Sequence, residues 1–473
     1  MKFIPTLRFV TILAVILQLA FLNAPISRGE GYYLHAGQLI LSGKLPYRDY
    51  FDHKPPGMHY LVAGLFKLFG ESLYVVKYSI FIIHFFSAFL LYLIGRKIWG
   101  KSQGALASVI FLVGLPLYNG YFIISDALIL FLGAIGLYCY LLFLDNNNLA
   151  FLFVSGFFLG ISVLFKQTGL LLFIAVLFYH IIHLRHFKSS RVLLTTTLLV
   201  AGLALPLVLF IVYLLSQDLY SVFIHSVIST NISSYPPRDF GTFIEYSYKN
   251  FMFYPLVWIL PVCFVFLPKK TRDKGLIILF LFVVSLSPTT IRQYLHYYIP
   301  ALGFASILSS VVLIELSVQL SKLRKEFNFI QSVCVLLVLL LLCPLLFNLV
   351  ISYRLIEKEQ LLDDYLEVGA FIKNNTYPTE KILVLTSEPQ FYFLSDRSAV
   401  NEFTFIGDVN YYEGIEEKLI KDSLDNDVAY FIVVENPRLE TYASKVHDFI
   451  LNNSVLEKNW PGKQPIMVYQ RIR

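Results

Sequence analysis

Long apolar runs constrain this chain more than any other feature of its sequence. A helix needs about 20 apolar residues to cross a hydrocarbon core of about 30 Å. Runs of nearly that length recur from the N-terminus to residue 351. Hydrophobic residues make up 57% of the chain and charged residues 15%, whereas soluble proteins contain about 45 to 50% apolar residues. We therefore expect an α-helical polytopic membrane protein.

About eleven runs qualify as membrane spans. They lie at residues 6–24, 73–95, 102–118, 122–144, 149–165, 168–184, 192–215, 251–267, 275–290, 294–316 and 329–351. Lys and Arg concentrate in short cytoplasmic loops, and here they cluster in alternate loops, at residues 96–101, 185–191, 269–274 and 322–325. Only the turn at 145–148 lacks a basic residue among the loops assigned to that side. The pattern predicts a cell (inner) membrane protein with a cytoplasmic N-terminus and an extracytoplasmic C-terminus.

Residues 353–473 differ in composition from the rest. They hold 20 of the 32 acidic residues but 13 of the 38 basic ones. Probable strands alternate with probable helices there, which predicts a small soluble α/β domain after a transmembrane domain at 1–352. The strands are expected at 381–386, 428–435 and 466–470, and the helices at 361–374, 411–423 and 440–452.

Two classes of partner are disfavoured by the sequence. The positive charge of residues 1–352 does not indicate nucleic-acid binding, because the cations lie at the ends of apolar runs. The sequence contains no GxGxxG motif or other glycine-rich phosphate-binding loop. A nucleotide-sugar or ATP donor is therefore unsupported.

The first outside segment, residues 25–72, is dense in chemically active side chains. It reads SRGEGYY at 27–33 and GKLPYRDYFDHKPPG at 43–57. The two prolines after Lys54 fix the backbone φ angle and remove two hydrogen-bond donors, so Asp52 and Lys54 should lie on a stiff backbone. Stiffness suits a functional site more than a spacer. A solvated loop held by salt bridges is the alternative that composition leaves open.

At these residues the chain resembles GT-C glycosyltransferases of the dolichyl- or polyprenyl-phosphate-mannose protein mannosyltransferase and aminoarabinose-transferase type. The matching features are Glu30 in an acidic motif after the first span, Tyr33 just beyond it, and YFDHKPPG at 50–57, which is similar to the family's acid-Lys-Pro signature. The segments SDA at 125–127, FKQTG at 165–169 and RQYLHYYIP at 292–300 follow in order. The family typically carries two adjacent acids in the first motif, whereas Gly29 occupies the first place here.

The resemblance implies that a sugar is transferred from a polyprenyl-phosphate donor to an acceptor hydroxyl of a lipid, glycan or protein at the outer membrane surface. Such a reaction needs a carboxylate to accept the proton of the acceptor and cations to hold the phosphate charge. Glu30 and Asp52 are the predicted catalytic residues, with Glu30 preferred as the base because it fills the acidic motif. The predicted substrate-binding residues are Tyr33, Lys54, Asp126, Lys166 and Arg292, of which the three cations would hold phosphate.

Simpler interpretations exist for several of these residues. Lys166 could extend to the membrane interface as a snorkelling lysine, and Asp126 could cap the following helix. Tyr33 could belong to an interfacial aromatic belt. Asp52 could form a metal site with His53 and His59, but without a spaced partner this evidence is weak. We therefore predict a metal-independent reaction without a cofactor.

Two other functions compete with glycosyl transfer. A transporter or lipid flippase would favour charges near the bilayer midplane together with inverted repeats. In this sequence the charges collect in one outside segment and no repeat is visible. A membrane sensor or assembly protein would use the C-terminal segment to bind a partner. The acid-Lys-Pro segment disfavours both alternatives.

Overall fold

The computed structural model describes residues 19–24, 26–234, 240–292, 294–323, 362–385, 387–407, 410–435, 438–461 and 464–472. Most of the predicted span at 6–24 and all of the span at 329–351 lie outside the described residues. The chain divides into two compact units. The first contains residues 1–22, 77–213 and 237–353, and the second contains residues 23–76, 214–236 and 354–473.

Apolar helices make up most of the first unit. In the described ranges, five helical segments are long and apolar enough to cross a membrane: Leu73–Ile98, Lys101–Tyr118, Ser125–Asn146, Ser189–Ser216 and Leu295–Lys322. Shorter apolar helices are Leu149–Phe165, Gly169–Leu184 and Leu276–Leu286. Each coincides with a predicted span, which supports an integral membrane protein. The count of eleven remains a prediction.

The predicted span at 251–267 is broken. Helix Phe240–Met252 ends at the second residue of this span, and helix Pro255–Cys263 begins after a bend of 101°. Proline at 255 disfavours the helical conformation in the residue before it, and Tyr254 has φ −150° and ψ 63°. Proline also lacks the amide donor that a continuous helix would need. One hydrophobic run therefore folds as two helices.

Glycines allow two of the apolar helices to pack closely. A Cβ atom added to Gly156 would lie 2.1 Å from the Leu199 carbonyl oxygen, and one added to Gly202 would lie 2.1 Å from the Phe153 carbonyl oxygen. Small residues at such crossings let helix backbones meet where lipid supplies no hydrophobic driving force. Helices Leu149–Phe165 and Ser189–Ser216 are therefore in backbone contact.

Three turns predicted to be cytoplasmic meet at one end of the first unit. Lys97 forms an ion pair with Asp145, and the Arg191 guanidinium donates to the Asn147 side-chain oxygen at 2.7 Å. The Ser125–Asn146 helix runs away from these turns for about 33 Å at 1.5 Å per residue. Its first residues therefore lie at the opposite end of the unit.

The second unit combines the first outside segment with residues after 354. Residues 25–72 contain two helices, Arg28–Leu41 and Gly57–Phe69. Residues 214–236 contribute helices Tyr220–Phe223 and Thr230–Ser234, joined by the π-helical turn Ile224–Ser229. The later helices are at residues 362–375, Gln390–Ser395, Ile415–Asp425, Arg438–Tyr442 and Ser444–Asn453.

A five-stranded sheet forms the centre of this unit. Its strands are β1 (Lys381–Leu385), β2 (Ser398–Ala399), β3 (Tyr430–Val434), β4 (Ser454–Trp460) and β5 (Ile466–Arg471), in the spatial order β2-β1-β3-β5-β4. β1 is parallel to β2 and β3, and β5 is antiparallel to β3 and β4. Alternate residues of β1 and β3 pack on opposite faces, because side chains alternate along a strand. The separate domain at residues 353–473 remains a prediction.

Candidate functional site

The seven predicted site residues fall in two groups, one in each compact unit. The second unit contains Glu30, Tyr33, Asp52 and Lys54, and the first contains Asp126, Lys166 and Arg292. Each group has its own network of contacts.

Glu30 belongs to the capping box of the Arg28–Leu41 helix. The Ser27 amide donates to Glu30 Oε2 at 2.7 Å, and the Glu30 amide donates to Ser27 Oγ at 3.2 Å. The S-x-x-E spacing of residues 27–30 is the sequence signature of this arrangement. The residue is fully buried. Glu30 therefore has a fixed orientation and a structural role at the start of the helix.

Asp52 is a buried carboxylate held through both oxygens. Oδ1 accepts hydrogen bonds from the amides of His53 at 2.6 Å and Lys54 at 3.2 Å. His59 Nε2 lies 2.7 Å from Oδ2. Burial raises the pKa of Asp52, but the hydrogen bond from His59 and the charges of His59, His53 and Lys54 outweigh it and leave the pKa below its usual value. Asp52 is therefore ionised at neutral pH.

His59 links Asp52 to Tyr50. Its second nitrogen, Nδ1, lies 3.2 Å from the Tyr50 hydroxyl, and both side chains are buried. When Nε2 donates to Asp52, a neutral His59 leaves Nδ1 to accept from Tyr50. From the sequence, His59 was expected only as a possible metal ligand. The contact with Asp52 was missed because the Gly57–Phe69 helix that carries His59 was not predicted.

Lys54 and Tyr33 are in contact in the second unit. Lys54 Nζ donates to the Tyr33 hydroxyl at 3.1 Å and lies 5.3 Å from the centre of the Tyr33 ring. The Tyr47 hydroxyl donates to the Lys54 carbonyl at 2.7 Å. Asn231, from residues 214–236, donates to the His53 carbonyl at 2.6 Å. No sequence pattern connected Asn231 with this segment.

In the first unit, Asp126 and Lys166 form a buried ion pair. Lys166 Nζ donates to the two Asp126 carboxylate oxygens at 2.8 and 3.0 Å and lies 3.4 Å from the centre of the Tyr297 ring. His296 Nε2 lies 3.9 Å from Asp126 Oδ2. A cation over an aromatic ring gains electrostatic stabilisation. Lys166 is 5% exposed, so it does not extend to the interface as a snorkelling lysine would.

Asp126 does not cap its helix. The N-cap position of the Ser125–Asn146 helix is Ile124, which makes no side-chain capping bond. The capping interpretation of Asp126 is therefore wrong, because its carboxylate faces Lys166 instead. Arg292 is half-buried and follows the turn Ser287–Thr290. It lies in the same segment as Tyr297.

A small pocket adjoins the Asp126 ion pair. Its polar lining includes Asp126, Thr168, Ser285 and Tyr297. Within the described ranges, no three His, Cys, Asp or Glu side chains come together in an arrangement that could hold a metal ion. Independence from metals remains a prediction.

The sequence and the fold of the chain were compared with those of known proteins. The family model of dolichyl-phosphate-mannose-protein mannosyltransferases matches residues 53–217, and no curated protein sequence matches the chain. A crystal structure of ArnT from Cupriavidus metallidurans bound to undecaprenyl phosphate matches with a TM-score of 0.65. The match spans 98% of this chain and 97% of ArnT, at 13% sequence identity. The chain therefore has a fold similar to that of ArnT along nearly its whole length.

A second solved structure extends the comparison. Archaeal oligosaccharyltransferase AglB from Archaeoglobus fulgidus, in complex with an inhibitory peptide and a dolichol-phosphate, matches with a TM-score of 0.53 and 12% identity. The match covers 90% of this chain and 69% of AglB. Both matches agree with the fold that the resemblance of the sequence motifs implied.

Proposed function

We propose that this chain is a GT-C membrane glycosyltransferase that moves a sugar from a polyprenyl-phosphate-linked donor to an acceptor hydroxyl on the extracytoplasmic face. The observation that carries the proposal is the structural match along nearly the whole chain to ArnT, a protein solved with bound undecaprenyl phosphate. The match to AglB, solved with a dolichol-phosphate, supports the same class of lipid donor.

Glu30 is the proposed proton acceptor. Glu30 is preferred over Asp52 because it fills the acidic motif after the first span, whereas the Asp52 oxygens bind His59 and two backbone amides. These contacts suit Asp52 to ordering the segment that carries Lys54. Both acids are then needed for turnover, but for different reasons.

The cations are the proposed ligands of the donor phosphate, which gains negative charge as the bond to the sugar breaks. Lys54 is the candidate in the second unit, where Tyr33 orients its ammonium group. Lys166 and Arg292 are the candidates in the first unit. Cations aimed at a developing charge stabilise the transition state more than the ground state. Their loss should therefore lower turnover and not donor binding alone.

The proposal is tested with the purified full chain and a panel of polyprenyl-phosphate sugars, by following loss of the donor. Wild-type protein should consume at least one donor. Glu30→Gln should lower turnover about 10²- to 10⁴-fold by removing the proton acceptor. It should leave the helix start intact, because Gln also serves in a capping box.

Glu71→Gln is the matched control for Glu30→Gln. Glu71 is an exposed acid of the same segment, and its carboxylate accepts a hydrogen bond from Gln38 at 3.0 Å. This variant should turn over like the wild type. Failure of the wild type to consume any donor would refute the proposed function. Near-full turnover in Glu30→Gln, with none in Asp52→Asn, would instead assign the base to Asp52.

A further inference from the structure

The chain that leaves β1 contacts the helix that carries Glu30. Residues 387–390 follow the carboxyl end of β1, where α/β sheets commonly bind their ligands. In this protein, the first turn of the Arg28–Leu41 helix packs at that place. The contact lies within the second compact unit.

A buried carboxylate forms the polar part of this contact. Arg28 Nε donates to Glu388 Oε1 at 2.6 Å, and Gln390 Nε2 donates to Glu388 Oε2 at 2.7 Å. The Glu388 side chain is 2% exposed, whereas that of Arg28 is 35% exposed. Charge-assisted hydrogen bonds of this kind are stronger and more directional than neutral ones. Glu388 therefore fixes the position of Arg28.

The apolar part of the contact lies one residue beyond Glu30. A Cβ atom added to Gly31 would lie 2.5 Å from Gln390 Cβ and 2.6 Å from Gln390 Cα. The helix backbone thus touches the backbone of residue 390. Arg28 and Gly31 lie on either side of Glu30 in the same turn, so residues 388–390 hold that turn at two points.

We propose that Glu388 is a positioning residue that acts through Arg28 to hold the Glu30 turn in place for proton transfer. The inference rests on the proposed function of Glu30. It gives the segment after residue 354 a defined part in the reaction, because the Glu30 turn depends on a side chain from that segment. Glu388 itself does not need to contact donor or acceptor.

The test begins with Glu388→Gln in the full chain, assayed for turnover and for the KM of the donor. Turnover should fall on the order of 10- to 10²-fold, because small misplacements of a reacting group are costly, while KM stays near that of the wild type. Glu402→Gln is the control, since it breaks a more exposed ion pair with Lys418 in the same unit. It should leave turnover unchanged.

A double-variant cycle separates positioning from general stabilisation. If Glu388 acts through Glu30, adding Glu388→Gln to Glu30→Gln should cause little further loss, because residues that act as a unit are not additive. The charge exchange Arg28→Glu with Glu388→Arg should recover part of the lost turnover. Multiplicative losses in the cycle would overturn the proposal.

Hydrogen exchange supplies a readout that does not depend on activity. Amides of residues 28–41 should exchange faster in Glu388→Gln than in Glu402→Gln. Unchanged exchange would overturn the positioning role even if turnover fell. If the wild-type chain consumed no donor, the proposed function would fail, and the exchange result would still decide whether Glu388 holds the Glu30 turn.

Discussion

The positive charge of Lys166 is neutralised by a buried partner, the carboxylate of Asp126. Asp126 accepts two hydrogen bonds from its ammonium group, and the Tyr297 ring covers it. Removing one partner of a buried pair leaves the other charge uncompensated, which typically costs about 3 to 5 kcal/mol. A loss of activity in a single variant of Lys166 would therefore not distinguish phosphate binding from stabilisation.

The double variant Asp126→Asn with Lys166→Gln makes that distinction. Lys166→Gln alone should be strongly destabilised, and the double variant should recover most of the stability because neither charge remains. If Lys166 holds donor phosphate, the double variant should still turn over slowly. Thermal unfolding and donor turnover at matched expression measure the two effects. Wild-type turnover in the double variant would show that Lys166 only neutralises Asp126.

At the scale of elements, the packing of the Arg28–Leu41 helix depends on Gly31. Gly31→Ala would place a methyl group against Gln390, where the closest backbone atoms lie 2.6 Å away. Overpacking of this kind costs about 1 to 3 kcal/mol. We expect Gly31→Ala to lower the unfolding temperature of the protein.

Gly29→Ala in the same turn is the control. A Cβ atom there would meet nothing within 4 Å, and alanine favours the helix by up to about 1 kcal/mol over glycine. Gly29→Ala should therefore be neutral or stabilising in the same thermal scan. Equal unfolding temperatures for the two variants would contradict the contact between Gly31 and residue 390.

At the scale of the whole molecule, the alternating basic loops predict that the N-terminus is cytoplasmic and the C-terminal segment extracytoplasmic. The contacts of Lys97 with Asp145 and of Arg191 with Asn147 place two of these basic loops and the turn at 145–148 at one end of the first unit. Reporter fusions after Arg354 should be active only when the reporter works outside the cytoplasm. A cytoplasmic signal there would reverse the side assigned to every outside segment, including the one that carries Glu30.

Local patterns in the sequence predicted much of the secondary structure. The lengths of the apolar runs identified the described apolar helices. Inside a lipid bilayer no water is present, so the backbone N–H and C=O groups of a span must bond to each other within a helix. Apolar runs also identified β1, β3 and β5 at nearly their observed bounds. β4 was missed because its five central residues are exposed, so it lacks a continuous apolar run. The helices in residues 25–72 were missed because the segment was interpreted as a loop from its polarity.

Within the site, the sequence determined which residue types were available. The density of acids and cations in residues 27–57 identified Glu30, Asp52 and Lys54 as candidates. The S-x-x-E pattern at 27–30 is the signature of a capping box, but it was not interpreted as one. The tertiary structure alone decided which distant groups meet. Arg28 pairs with Glu388, which lies 360 residues further along the chain. Lys166, which directly follows one helix, pairs with Asp126 in another. Such pairs depend on how elements pack, and one sequence carries no local pattern that specifies them.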